Sequence, residues 1–301
     1  MSKKVLAIYY TQSGQLGEII TQFTAPLVEA GITVEKVSIN LSNNYAFPWT
    51  TNRFFSVMPD CVLGIPAKLA PFELKETSYD LIILGYQAWF LSPSIPFNSL
   101  LQYPGLISVL KNTPVITITG VRNMWLNAFV KVKKLIHNTG AKLVGNIALV
   151  DTHPNPISFF TIFHWMLHGK KDRYLNIFPS PGVSDADINH SRVLGEHVIT
   201  HLNKNEWEGL QEELVIDGAV KLNYNLMIIE SVAGKIFAVW ANFIVKRKNR
   251  AIWLKAFKYY LLIAFFIGAP ILITLDAIFL KPFSPRHIKA KKQYYLNLDL
   301  H

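Results

Sequence analysis

Cysteine is all but missing: Cys61 is the single thiol in 301 residues. This excludes an internal disulfide framework and points to a reducing compartment. A secretory leader is not expected, since Val5–Tyr9 is too short for its apolar core and polar residues follow at once. The common nucleotide signatures are also absent. Thr11-Gln12-Ser13-Gly14-Gln15-Leu16 has one glycine and no lysine, so it is neither a dinucleotide fingerprint nor a Walker loop. Acid is scarce in one region only. Residues 231–301 hold Asp276 and Asp299 against 12 Lys/Arg, whereas residues 1–230 hold 18 of each sign. The excess of +10 therefore lies wholly beside the most apolar part of the chain. An anionic membrane surface attracts such a segment, at roughly 1 kcal/mol per basic residue near it. A nucleic-acid partner is not expected, because it would call for base-reading side chains on a folded groove.

The first two-thirds alternates two periodicities. Val5–Tyr9, Val34–Val37, Leu81–Leu84, Val115–Ile118 and Leu143–Val150 are short β-branched or apolar runs, as in strands buried on both faces. Leu16–Glu29, Ile95–Lys111, Leu126–Asn138 and Asp185–Leu202 carry helical spacing. Five strands with helical crossovers imply an α/β fold with a parallel sheet, of Rossmann or flavodoxin order. Both orders place ligands at the carboxyl ends of the strands. Two insertions at that edge, residues 39–79 and 151–182, are too aromatic for disorder: Phe47-Pro48-Trp49 and Phe54-Phe55 in one, Phe159-Phe160 and Phe163 in the other.

Three strand-end loops carry the chemistry. Thr11–Leu16 offers hydroxyls, amides and a glycine ahead of a helix start, which suits a monophosphate. Gln87-Ala88-Trp89-Phe90 follows the third long strand and offers Trp89 as a flat stacking surface. Gly120-Val121-Arg122-Asn123, with Trp125 just beyond, follows the fourth. Arg122 there either stabilises negative charge on a bound group or pairs with a surface carboxylate. His153 and His164, after the fifth strand, are the candidate general bases. Cys61 has no histidine near it in sequence and is a weak nucleophile candidate.

The first loop resembles the flavodoxin phosphate loop, Thr/Ser-x-Thr/Ser-Gly-x-Thr, through Thr11, Ser13 and Gly14, with Leu16 replacing the last hydroxyl. The other two loops resemble the second and third flavin loops of that superfamily. The resemblance implies a flavodoxin-like five-stranded parallel sheet of order 2-1-3-4-5 over residues 1–203, with FMN as cofactor. Over nearly the whole chain, Tyr9–Gln15, Phe47-Pro48-Trp49, Phe54-Phe55, Pro59 and the basic apolar tail resemble the dialkylresorcinol condensing enzymes. That resemblance implies a flavin-dependent oxidoreductase or aromatase. It would dehydrogenate a lipid-like alkylated cyclohexanedione to a resorcinol beside a ketosynthase-like partner. Two alternatives stand beside it: a membrane-docked flavin electron carrier or quinone reductase, and a flavin-free scaffold or condensing protein.

Residues 204–225 read as a solvated linker or surface helix, with five acids and two lysines over 203–222. Residues 226–301 read as a helical, membrane-associated tail. Tyr259–Leu280 is long enough to span a bilayer. Basic clusters on both flanks oppose a single pass, and Pro270 divides the segment. The expectation is a shallow hairpin or interfacial insertion on the cytoplasmic face of the inner membrane, peripheral or monotopic. Leu226–Val245 would lie along the interface. The competing expectation is that both segments cover the domain or bury a homodimer interface.

Overall fold

In a computed structural model, which describes residues 2–299, five long strands form one parallel sheet. They are β1 (Lys4–Tyr9), β2 (Thr33–Ser38), β3 (Leu81–Tyr86), β6 (Pro114–Val121) and β7 (Lys142–Val150). A two-residue pair, β4 (Ala88–Trp89) and β5 (Ser92–Pro93), stands apart. The sheet order is β2-β1-β3-β6-β7, which is 2-1-3-4-5 counted over the long strands, the flavodoxin-type doubly wound order. Alternate residues of each strand point to opposite faces. Val5, Ala7, Leu81, Ile83, Ile116 and Ile118 meet α1 (Gln15–Glu29) and α8 (Asp185–Lys204). Leu6, Ile8, Ile82, Leu84 and Val115 meet α4 (Ile95–Leu100), α5 (Pro104–Leu110) and α6 (Leu126–Asn138) on the other face. With helices on both faces, near-continuous apolar strands are what the fold needs. Gly195 lets α8 lie directly on α1, because a Cβ there would overlap the Phe23 carbonyl oxygen.

Where a single helix is expected over 95–111, two occur. Pro104 has no N–H to donate and drives Tyr103 to extended backbone (φ −80°, ψ 119°), so α5 starts afresh. Of the two expectations for residues 204–225, the solvated linker fails and the surface helix occurs. Leu210 and Leu214 of α9 (Leu210–Ile216) are buried in the core with Trp207. Beyond them, Ala219 accepts the Ala148 N–H at 2.8 Å and Val220 bridges to Ala148, covering the β7 edge. The acids of this stretch occupy the outer face of the same turns that bury its leucines. The insertions are ordered as well: α2 (Thr51–Ser56) and α3 (Met58–Leu63) in the first, α7 (Asn155–His168) in the second.

The tail is an antiparallel helical hairpin laid on the domain. Phe237, Ala241 and Ile244 of α10 (Tyr224–Val245) form a cluster with Phe55, Met58, Val62 and Phe257. After a turn at 246–249 the chain returns as α11 (Arg250–Ile263), a π-turn (Ala264–Gly268) and α12 (Ala269–Phe279). The expected break at Pro270 does not occur. Arg250–Phe279 is one uninterrupted helix, and Pro270 falls in the first turn after the π-turn, where the hydrogen-bond ladder is already shifted and its missing donor costs least. The hairpin turns at 246–249 instead. Its direction is fixed at both ends: Phe243 meets Trp253 (centroids 4.7 Å apart), and the Tyr224 hydroxyl donates to Asp276 at 3.3 Å. Both Tyr224–Val245 and Arg250–Phe279 are long and apolar enough to cross a membrane. The outer face of the second exposes Tyr259, Ile263, Ile267, Ile271, Leu275 and Phe279 at four-residue spacing, a stripe of about 30 Å.

Finally α13 (Pro285–Leu296) brings the chain back to the domain. Tyr295 is buried in the core, and Lys133 Nζ donates to the Asn297 and Asp299 carbonyls at 3.3 and 3.0 Å. Residues 300–301 of the expected tail lie outside the described residues.

Candidate functional site

A cavity of about 340 Å³ opens at the carboxyl edge of the sheet, on the switch side where the chain passes from β1 to β2 one way and to β3 the other. Its floor is polar and comes from the three strand-end loops. Gln12, Ser13, Gln15 and Leu16 enter from the first, Gln87, Ala88, Trp89 and Phe90 from the second, and Gly120, Val121, Arg122 and Asn123 from the third.

The first loop turns on Gly14, whose φ of +91° suits glycine. The Gly14 N–H donates to Thr11 Oγ1 at 3.1 Å, so Thr11 shapes the turn, and neither of these two lines the cavity. Gln15 is clamped by a two-way bond to Val183, donating to its carbonyl and accepting its N–H, both at 3.1 Å. Gln12 accepts from the Tyr10 hydroxyl and donates to the Tyr45 carbonyl at 2.9 Å. Among the described residues, the N–H groups of Gln15, Leu16 and Gly17 at the α1 start meet no acceptor. They retain the donor capacity and partial positive charge of a helix N-terminus.

The second loop is strained. Phe90 and Leu91 sit at φ +47° and +59°, where bulky side chains are unfavourable, and such strain gathers at ligand loops. The ring of Trp89 meets Tyr10, Tyr45 and Trp49 edge-on, with centroids 5.9, 5.4 and 5.3 Å away. Gln87 Oε1 is buried without a donor.

In the third loop Arg122 Nη2 and Asn123 Nδ2 both donate to Asn155 Oδ1 at 2.8 Å. Asn123 Oδ1, like Gln87 Oε1, is left without a donor. Arg122 lies beside the rings of Phe159 and Phe265, and burial pushes its pKa down to about 10 against the opposing field of Asp151. Among the described residues no carboxylate lies within ion-pair distance of it, which removes the surface-pairing reading. Asp151 is committed elsewhere: it accepts from Ser158 Oγ, Gly182 N–H and His153 N–H. Trp125 is a core residue packed on Phe129 and does not line the cavity.

The two candidate bases lie outside the cavity. His153 Nδ1 is paired with Asp151 at 2.6 Å, because the chain turns back at once after β7. His164 points from α7 to Asp172 at 3.0 Å and stacks on His168 and Tyr174. Cys61 is buried with its thiol toward the Trp89 and Pro93 carbonyls, and burial pushes its pKa up, out of reach of a thiolate role.

The walls and roof are apolar. Phe47, Trp49 and Phe54 come from the first insertion, and Phe159, Ile162 and Phe163 from α7. Ile229, Ala233 and Phe237 of α10 close the site with Tyr260, Ala264 and Phe265 of the returning helix. The contribution of these last residues is not readable from sequence, where the tail shows only length, apolarity and flanking charge. Chemically, the site offers donors and a cation at a polar floor and hydrocarbon at its walls and roof.

No protein-family model matches the chain, and no curated protein matches it. Among solved structures it is similar to a flavoprotein from Lactobacillus acidophilus NCFM in complex with FMN, at 15% identity and TM-score 0.38, over 49% of this chain and 93% of that one. It is also similar to a flavodoxin from the domain Archaea (11%, TM-score 0.37, 66% and 99%). Oxidised flavodoxin 1 from Bacillus cereus is a third such match (13%, TM-score 0.36, 66% and 99%).

Proposed function

We propose that this chain is an FMN-dependent oxidoreductase that aromatises an alkylated cyclohexanedione to a resorcinol at the membrane surface, beside a ketosynthase-like partner that supplies the dione. One observation carries the reading. The apolar chamber has a polar floor at which unpartnered helix N–H groups, two donor-less amide oxygens and an ion-unpaired arginine converge.

These groups fit a flavin. Ser13 and the N–H groups of Gln15, Leu16 and Gly17 suit the phosphate. The hydroxyl that Leu16 lacks is replaced in this role by backbone. Trp89 offers a ring face or edge, and Gln87 Oε1 and Asn123 Oδ1 offer acceptors for a ring N–H. A bound flavin supplies hydride acceptance from carbon. Arg122 neutralises negative charge on the ring or on an enolised substrate. A cyclic dione is acidic in its enol form, so a cavity with a cation and no general base suits it better than the reverse. The phenylalanines of α7 and of the first insertion hold the alkyl chains. The exposed apolar stripe of Arg250–Phe279, with basic residues at both ends of the hairpin, supports seating in an anionic cytoplasmic leaflet, parallel to its plane.

The test is a visible absorbance spectrum of detergent-purified protein with the released cofactor identified by mass, followed by turnover of a dialkylated cyclohexanedione. Bound FMN with resorcinol formation is expected. Bound FMN without turnover would leave a flavin electron carrier, and a colourless chain that takes up no flavin would overturn the proposal.

A further inference from the structure

Along one line, aromatic rings of α7 and of the π-turn stand between the cavity and the outer apolar surface. On the inside, Phe159 of α7 and Phe265 of the π-turn line the cavity and stack with centroids 4.6 Å apart. On the outside, the next residue of each, Phe160 and Phe266, is 44% exposed, and these two rings stand 6.0 Å apart. Among the described residues no hydrogen bond or ion pair joins α7 to α11, the π-turn or α12; the polar groups of these helices bond within their own element or elsewhere. The junction is closed by rings alone. One lip of the junction, Phe265 and Phe266, belongs to the π-turn itself: a π-turn widens the helix and thins its ladder, and such turns gather at functional sites.

We infer that this junction is a lateral portal through which a membrane-dissolved amphiphile enters, its polar head passing into the cavity while its alkyl chain stays between the rings and in the lipid. The inference rests on reading the cavity as the substrate site. The lips are purely aromatic and run without interruption into the exposed stripe at Ile263 and Ile267, so the occupant outside is hydrocarbon. Immediately behind them stands Arg122, its guanidinium 5.8 Å from the Phe159 ring and 5.4 Å from the Phe265 ring. A cation behind an apolar gate selects a head with an anionic or enolic oxygen. The substrate class is therefore an acidic-headed alkyl amphiphile drawn from the bilayer.

The experiment uses the full chain on phosphatidylcholine vesicles containing phosphatidylglycerol. Palmitate bearing a diazirine is added, flashed after increasing delays, and its attachment sites are mapped by peptide mass spectrometry. Water-soluble diazirine pentanoate is the parallel probe. Phe160→Glu with Phe266→Arg places an ion pair across the lips at two exposed positions, and Phe160→Leu with Phe266→Leu keeps them apolar. Palmitate is expected to label the outer stripe equally in all three proteins. Its labelling of the cavity segment at Phe163 should slow by about ten-fold or more in the clamped pair alone, since an ion pair is strengthened in low dielectric. Pentanoate should label that segment equally in all. Palmitate reaching the clamped cavity as fast as the native one overturns the portal, and so does an equal slowing in the leucine pair. Entry of pentanoate but never palmitate into the native chain overturns the portal and leaves the cavity reading standing. Entry of neither overturns both.

Discussion

Glu230 sets how firmly the tail is seated, and its protonation should make that seating depend on pH. The side chain comes from α10 and caps α6: Oε1 accepts the Asn127 N–H at 2.7 Å, and the Glu230 carbonyl accepts Asn127 Nδ2 at 2.6 Å. Oε2 is buried without a donor. Burial pushes the pKa up to about 7 from an ordinary 4.5, although the N–H groups at the start of α6 pull it the other way. The seated state thus prefers the protonated acid. Its contribution is complete below about pH 4.5 and is lost as pH rises through about 7, a difference of about 3 kcal/mol. Glu230→Gln keeps the shape and the acceptor for α6 while removing the charge. At pH about 8 the variant should hold α10 more firmly than the native chain, by up to about a hundred-fold in the opening equilibrium. The two should converge below about pH 5. Hydrogen exchange of the α10 amides, corrected for intrinsic rates across this range, measures it. A native chain whose α10 protection keeps a constant ratio to that of Glu230→Gln would refute the reasoning.

Arg122→Gln should lower FMN affinity by about ten-fold to a hundred-fold, the worth of a hydrogen bond to a charged group, while leaving the melting temperature near native; flavin fluorescence titration reads it, and an unchanged affinity would show that the cation faces something else. Gly195→Ala should cost about 1–3 kcal/mol in chemical denaturation, because the new methyl must push α8 off the Phe23 carbonyl. Replacing Lys289, Lys291 and Lys292 by Gln should weaken cosedimentation with phosphatidylglycerol vesicles by about 1 kcal/mol per residue at low salt, and equal partitioning would remove α13 from the membrane contact.

The sheet was legible because its signal is dense. Runs such as Val5–Tyr9 and Leu81–Leu84 are apolar at consecutive positions, which only strands buried on both faces tolerate over so few residues. The floor of the cavity was legible for a related reason: strand ends determine where loops lie, so Gln12, Gln87, Arg122 and Asn123 could be placed together without knowing any distance. The bases were not. His153 follows β7 directly, as a catalytic residue would, yet the Asp151 carboxylate two residues away captures its ring, and such a pairing depends on turn geometry. The linker reading misled because acids outnumber lysines in this stretch, while Leu210 and Leu214 share one helical face. Pro270 misled because a proline's effect depends on whether the preceding turn has already shifted its hydrogen bonds, as the π-turn does.

The return of the chain after the hairpin imposes an order on biogenesis. Tyr295 completes the same core that β1, β3 and β6 begin, and Lys133 closes on carbonyls at 297 and 299. The two long apolar helices, Tyr224–Val245 and Arg250–Phe279, lie between these two contributions in sequence. A ribosome must therefore have released both the apolar hairpin and the residues beyond it before the core can finish packing. Insertion of the hairpin as it emerges would pull its far end away from the site where Tyr295 belongs. On the proposed membrane reading, the chain folds first and meets the bilayer afterwards, as a finished surface.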